Sequence, residues 1–135
     1  MDMVRDNLGY VVMGLFLGWM LWRRLLAPKL SGVLSISASE YMKLRDQPLS
    51  VVDVRTMSEW AAGHAPEALH IPLSEIGGRQ DEISQGKPVI VVCATGNRSA
   101  VAATTLARAG FKPVYNFSGG MSSWQGAGLP VSRSR

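Results

Sequence analysis

Cysteine occurs once in the chain, at position 93, and histidine twice, at positions 64 and 70. A single thiol excludes an internal disulfide. With only His64 and His70 as imidazoles, no zinc-type ligand set can be assembled, so no metal site is expected. A strong excess of one charge is also missing. Fourteen Lys and Arg stand against ten Asp and Glu, a net +4. Arg5, Arg23, Arg24 and Lys29 face Asp2 and Asp6 in the first thirty residues, and the remainder holds ten basic and eight acidic side chains. Each part nets +2, no basic patch stands out, and nucleic acid is not an expected partner. There is no internal repeat and no low-complexity tract. A length of 135 residues suffices for one domain with a real core and is too short for two of ordinary size.

Charge is absent altogether from Leu8 to Trp22. A helix over residues 8–26 is about 28 Å long, close to the ~30 Å hydrocarbon thickness of a bilayer. Tyr10 near one end and Trp19 and Trp22 near the other suit two interfaces, and Arg23 and Arg24 can reach headgroups along their stems. A cleaved signal peptide would carry a basic start and a small-residue cleavage site. This chain has Asp2, Arg5 and Asp6 at its start and Trp22-Arg23-Arg24 after the apolar run. The expectation is therefore one uncleaved transmembrane helix with the rest of the chain on the cytoplasmic side, in agreement with the lone free thiol. Gly14 and Gly18 form a small-xxx-small pair, a weak signal for a homodimer. Residues 1–32 are read as anchor and linker, 33–131 as the folded domain and 132–135 as a disordered tail.

From Val33 onward, strand-like and helix-like segments alternate. Strands are expected at Val33 to Ile36, Leu49 to Val54, Ala68 to Ile71, Val89 to Val92 and Val114 to Phe117. Helices are expected from the capping-box spacing Ser37 to Glu40 through Arg45, from Thr56 to Gly63, from Ser74 to Ser84, from Arg98 to Ala109 before Gly110, and from Met121 to Gln125. This alternation predicts an α/β fold with a roughly five-stranded parallel sheet covered by helices on both faces. Ligands of such sheets sit outside the carboxyl ends of the strands.

Cys93 stands at that edge. It follows the apolar run Val89-Ile90-Val91-Val92 and opens the loop Cys93-Ala94-Thr95-Gly96-Asn97-Arg98-Ser99. Free cysteine commonly acts as a small buried hydrophobe. Here Gly96 permits a tight turn, a helix begins at about Arg98, and Arg98 returns a cation toward the same cup. Backbone N–H groups of the turn and of the helix N-terminus would lower the thiol pKa from ~8.5 and supply a nucleophilic thiolate at neutral pH.

Three motifs, taken in order and spacing, resemble a rhodanese domain, and the match covers about Leu34 to Pro130. They are Asp53-Val54-Arg55 followed by Glu59-Trp60-Ala61-Ala62-Gly63-His64-Ala65-Pro66 and Ile71-Pro72; the Cys93 to Arg98 loop; and Gly119-Gly120-Met121 with Trp124. Glu67 departs from the pattern, in which glycine usually follows the proline. The N-terminal segment is similar to that of small bacterial rhodanese proteins with membrane helices. The resemblance implies transfer of sulfane sulfur. Thiosulfate or a persulfide donor would give its outer sulfur to Cys93, and a thiol, protein thiol or cyanide would remove it from the Cys93 persulfide, with no metal or organic cofactor. Cys93 is the expected nucleophile and Ala94, Thr95, Gly96, Asn97, Arg98 and Ser99 the loop around it.

The Cys-x4-Arg spacing differs from the Cys-x5-Arg of related cysteine phosphatases and favours a cup sized for sulfur over phosphate. Ser99 stands where a phosphatase or arsenate reductase would need its arginine. In support of the loop, Asp53 could accept from loop N–H groups and Arg55 could pair with Glu59 at i, i+4, or both could form a structural network. Arg98 could attract an anionic donor or brace the loop. Thr95 could offer its hydroxyl to bound sulfur or face solvent. His64 is expected to cap or pack within its turn, and Trp60 and Trp124 to pack in the core or at the rim. The alternative to catalysis is a membrane-tethered binding or regulatory module.

Overall fold

The computed structural model describes residues 5–25 and 32–133. The chain divides into two compact units, Met1–Ser31 and Gly32–Arg135.

Within the first unit, helix α1 spans Leu8–Leu25, and its side chains through Arg24 are exposed. No helix among the described residues is long and apolar enough to cross a membrane. This corrects the expectation of a transmembrane anchor over residues 8–26. Arg23 and Arg24 occupy the last turn, so the uncharged part from Leu8 to Trp22 extends only ~22 Å, against a ~30 Å hydrocarbon core. Leu26 and the expected linker through Ser31 lie outside the described residues.

The second unit is a five-stranded, all-parallel sheet in the order β1-β5-β4-β2-β3. The strands are β1 (Val33–Ile36), β2 (Ser50–Asp53), β3 (Leu69–His70), β4 (Val89–Val92) and β5 (Val114–Phe117). Helices α2 (Ala38–Leu44), α3 (Met57–Ala62), α4 (Asn97–Arg108) and α5 (Gly120–Gly126) connect and follow them. β4 is central and every one of its residues is buried. Its unbroken Val-Ile-Val-Val run is what a strand covered on both faces requires.

Side-chain alternation along β4 divides the core in two. Val89 and Val91 join Val52, Val54, Ala102, Ala103, Leu106 and Val114 on the α4 side of the sheet. Ile90 and Val92 join Ile36, Tyr41, Phe117, Met121 and Trp124 on the other. Trp124 is fully buried, with ring centroids 4.9 Å from Tyr41 and 5.4 Å from Phe117, and its indole N–H donates to the Pro130 carbonyl at 2.8 Å. Truncating such a ring costs ~3–5 kcal/mol.

Capping boxes start α2 and α3. Ser37 and Glu40 exchange side-chain and backbone bonds, as do Thr56 and Glu59. The helix expected from Ser74 to Ser84 is absent; two short 3-10 turns, Leu73–Glu75 and Gln80–Glu82, stand in its place. Gly77-Gly78 interrupts the segment, and two adjacent glycines carry the highest ordinary backbone entropy into a helix interior. The tail expected to be disordered from Ser132 is in part bonded. Ser132 and His64 exchange backbone hydrogen bonds at 2.7 and 2.9 Å, and Arg133 Nε donates to the Ala62 carbonyl at 3.3 Å. Ser134 and Arg135 lie outside the described residues.

Candidate active site

Cys93 continues the Val89, Val91 alternation one step past the end of β4, so its side chain enters the α4 face of the core. The residue is fully enclosed, at 0% relative exposure. Burial alone would make it an inert hydrophobe. The polar groups brought to the sulfur argue otherwise: the Gly96 N–H donates to Cys93 Sγ at 3.0 Å and the Ser99 hydroxyl at 3.3 Å. Burial pushes the Cys93 pKa up. The Ser99 hydroxyl and the backbone N–H groups of Ser99, Gly96 and Thr95 outweigh it, and the net direction is down.

These amides are free to face the sulfur because the loop's carbonyls are engaged elsewhere. Met121 N–H donates to the Cys93 carbonyl at 2.7 Å and Ser122 N–H to the Ala94 carbonyl at 3.3 Å, both from the first turn of α5. Gly96 caps α4 in the left-handed region, at φ 106°, and brings no side-chain cap of its own. The helix's first N–H groups thus face a sulfur, where a serine or threonine oxygen would ordinarily sit. Gly120, at φ 56°, is set by close packing: a Cβ there would lie 2.6 Å from the backbone C and O of Ala94. Glycine at that point lets α5 approach the loop closely enough to take its carbonyls.

Ser99 is the loop residue whose part is largest beyond expectation. It is fully buried on α4, and besides the sulfur its hydroxyl meets Asn116 Oδ1. Asn116 Nδ2 in turn donates to the Gly96 carbonyl at 3.2 Å. Asn116 therefore ties the hydroxyl, the turn and β5 together, and it was not among the expected site residues. A signal existed: an amide on the same side of β5 as buried Val114 interrupts an otherwise apolar alternation.

The charged residues pair differently from expectation. Arg98 does not extend a free cation to the cup; its Nη1 and Nη2 donate to Glu59 Oε1 and Oε2 at 2.6 and 2.8 Å. Hydrogen bonding from Arg98, with further bonds from Thr56, holds the Glu59 carboxyl down to about 2 against its burial. Arg55 does not pair with Glu59. Its Nη2 donates to Asp53 Oδ2 at 2.7 Å and to the Gly63 carbonyl at 2.7 Å, with both Arg55 and Asp53 buried. Asp53 also accepts from the Arg55 backbone N–H, at 3.0 Å, and not from the Cys93 loop. A buried pair so bonded fixes the β2–α3 connection beside the sheet edge. Thr95 and Asn97 are exposed at the rim, and Ala94 is half-buried between them and Cys93.

His64 packs within its turn as expected. Its Nδ1 lies 2.8 Å from the Trp60 carbonyl, and its ring stacks on Trp60 at 3.5 Å, with His70 on Trp60 at 4.7 Å. Glu67, the departure from the family pattern, accepts the Tyr41 hydroxyl at 2.9 Å.

Fold and cup together define a parallel α/β domain with one amide-cradled cysteine at the carboxyl edge of its central strand. The family model for the rhodanese-like domain matches residues 37–127, and the chain belongs to that family. Among similar proteins, YrkF of Bacillus subtilis (strain 168), whose name suggests a sulfur carrier, is 36% identical over 93 residues, 69% of this chain. The chain spans only half of YrkF's length. A protein of Allochromatium vinosum named as a sulfurtransferase is 36% identical over 96 residues, covering 70% of this chain and 90% of its own. The crystal structure of a rhodanese-related protein from Thermoplasma volcanium superposes with a TM-score of 0.69 at 32% identity, covering 75% of this chain and 99% of that one.

Proposed function

We infer that the domain is a sulfurtransferase that carries sulfane sulfur as a persulfide on Cys93. The observation that supports this most is the Gly96 amide 3.0 Å from Cys93 Sγ at the N-terminus of α4. In the first half-reaction the Cys93 thiolate attacks the outer sulfur of thiosulfate or of a persulfide. The Sγ–S bond forms, the donor's S–S bond breaks, and sulfite or a thiolate leaves with the bonding pair. In the second, a thiol or cyanide attacks the terminal sulfur and Cys93 departs as thiolate. The amides that face Sγ also face the added sulfur anion, as an oxyanion hole faces oxygen. Both steps run on the chain's own residues, and a lone free thiol is best suited to a reducing compartment.

A phosphatase would need a cation inside the cup. Arg98 is instead bound at both its terminal nitrogens by Glu59, and Ser99 follows it. A recruiting module with little turnover is favoured by one observation, the complete enclosure of Cys93. Intact-mass measurement after incubation with thiosulfate and then cyanide separates the two. Sulfur transfer predicts gain of one sulfur on Cys93, its loss with release of thiocyanate, and neither event in Cys93→Ser. A wild-type chain that gains no sulfur from any donor supports the recruiting module.

A further inference from the structure

We propose that Glu59 is a specificity-determining residue that turns the sulfur cup away from dianionic thiosulfate and toward the persulfide of an organic thiol. The inference rests on the sulfur-transfer reading and narrows its donor. Three guanidinium groups reach this edge of the sheet and each is already claimed, Arg79 by Glu75 and Glu82 beside the end of β3. Arg98 is held at both nitrogens by Glu59, 39 positions earlier in the chain, and Arg55 by buried Asp53. Of the other loop residues, Ala94, Thr95 and Asn97 carry no charge. The cup therefore offers N–H groups to one sulfur atom but no uncompensated cation to a sulfonate.

The two donors differ in what they ask of that rim. Thiosulfate arrives with two negative charges, and sulfite leaves with two. A protonated persulfide, R–S–SH, arrives neutral. The Cys93 thiolate attacks its outer sulfur, the Sγ–S bond forms, the donor's S–S bond breaks with its electron pair going to RS–, and RS– takes up the proton, so that Cys93–S–S– and RSH remain. A compensated rim admits the second donor without opposing it and gives the first no attraction. Glu59 sets this balance because it is ionised throughout the working pH range.

The test uses the full chain, wild type and Glu59→Gln, with thiosulfate and the persulfide of 2-mercaptoethanol as donors and cyanide as acceptor, at low and high ionic strength. Glutamine retains the capping-box bond to Thr56 while removing the charge, and persulfide turnover reports that the variant is folded. The expected result is a rise of about tenfold in the thiosulfate-to-persulfide ratio of kcat/KM in Glu59→Gln, shrinking at high salt. Wild-type thiosulfate turnover should change little with salt. Both donors active with an unchanged ratio, or a steep fall of wild-type thiosulfate turnover with salt, overturns the inference and leaves sulfur transfer standing. A wild-type chain that takes sulfur from neither donor overturns both.

Discussion

At the scale of single residues, the decisive contest is between burial and hydrogen bonding at Cys93. Enclosure disfavours the thiolate, and a few donors aimed at Sγ reverse the outcome. Ser99 is the donor most open to test. Its hydroxyl carries one hydrogen and faces two acceptors, Cys93 Sγ and Asn116 Oδ1. When sulfur is ionised, a charge-assisted bond to it is the stronger of the two. Ser99→Ala removes that bond without changing the backbone. The thiolate then loses a stabilising partner while the thiol loses little, so the Cys93 pKa rises. The pH dependence of iodoacetamide alkylation measures it; a midpoint that stays in place would show the hydroxyl bound to Asn116 alone.

At the scale of elements, α5 matters because it takes the loop's carbonyls. Gly120→Ala places a methyl against Cys93 O and Ala94 in a left-handed backbone. Separating α5 from the loop costs about 3 kcal/mol in stability, read as a lower urea midpoint. An unchanged midpoint would mean that α5 packs loosely and that the loop holds its own shape.

What could be read in advance follows the range of the interaction. Capping boxes at Ser37 and Thr56, the all-apolar β4 and the Cys93 turn are each written within a few neighbouring residues. Arg98–Glu59 joins residues 39 apart and Ser99–Asn116 joins residues 17 apart, and no local pattern pairs them. The i, i+4 pairing of Arg55 with Glu59 gives way to buried Asp53 for the same reason, and the structural network is the alternative that holds. The segment from Ser74 to Ser84 shows a local signal outvoted, with its apolar residues Ile76 and Ile83 buried from short turns on either side of Gly77-Gly78.

At the scale of the whole molecule, the described sulfur site lies entirely within the unit Gly32–Arg135, and no helix among the described residues meets the length and apolarity of a membrane span. The expected span of residues 8–26 reaches bilayer length only by including Arg23 and Arg24, which form the last turn of α1 and leave the uncharged part short. The second unit was legible as a class because β4, its loop and the Gly119-Gly120 turn fall in sequence order along one sheet edge. The central claim is electrostatic: an enclosed thiol is shifted toward its thiolate because the Ser99 hydroxyl and loop backbone N–H groups face the sulfur. Since Cys93 is the only thiol in the chain, ultraviolet thiolate absorbance of the native protein titrates it alone. The account predicts a midpoint below the ~8.5 of a free thiol, abolished in Cys93→Ser; a midpoint at or above that value would contradict it.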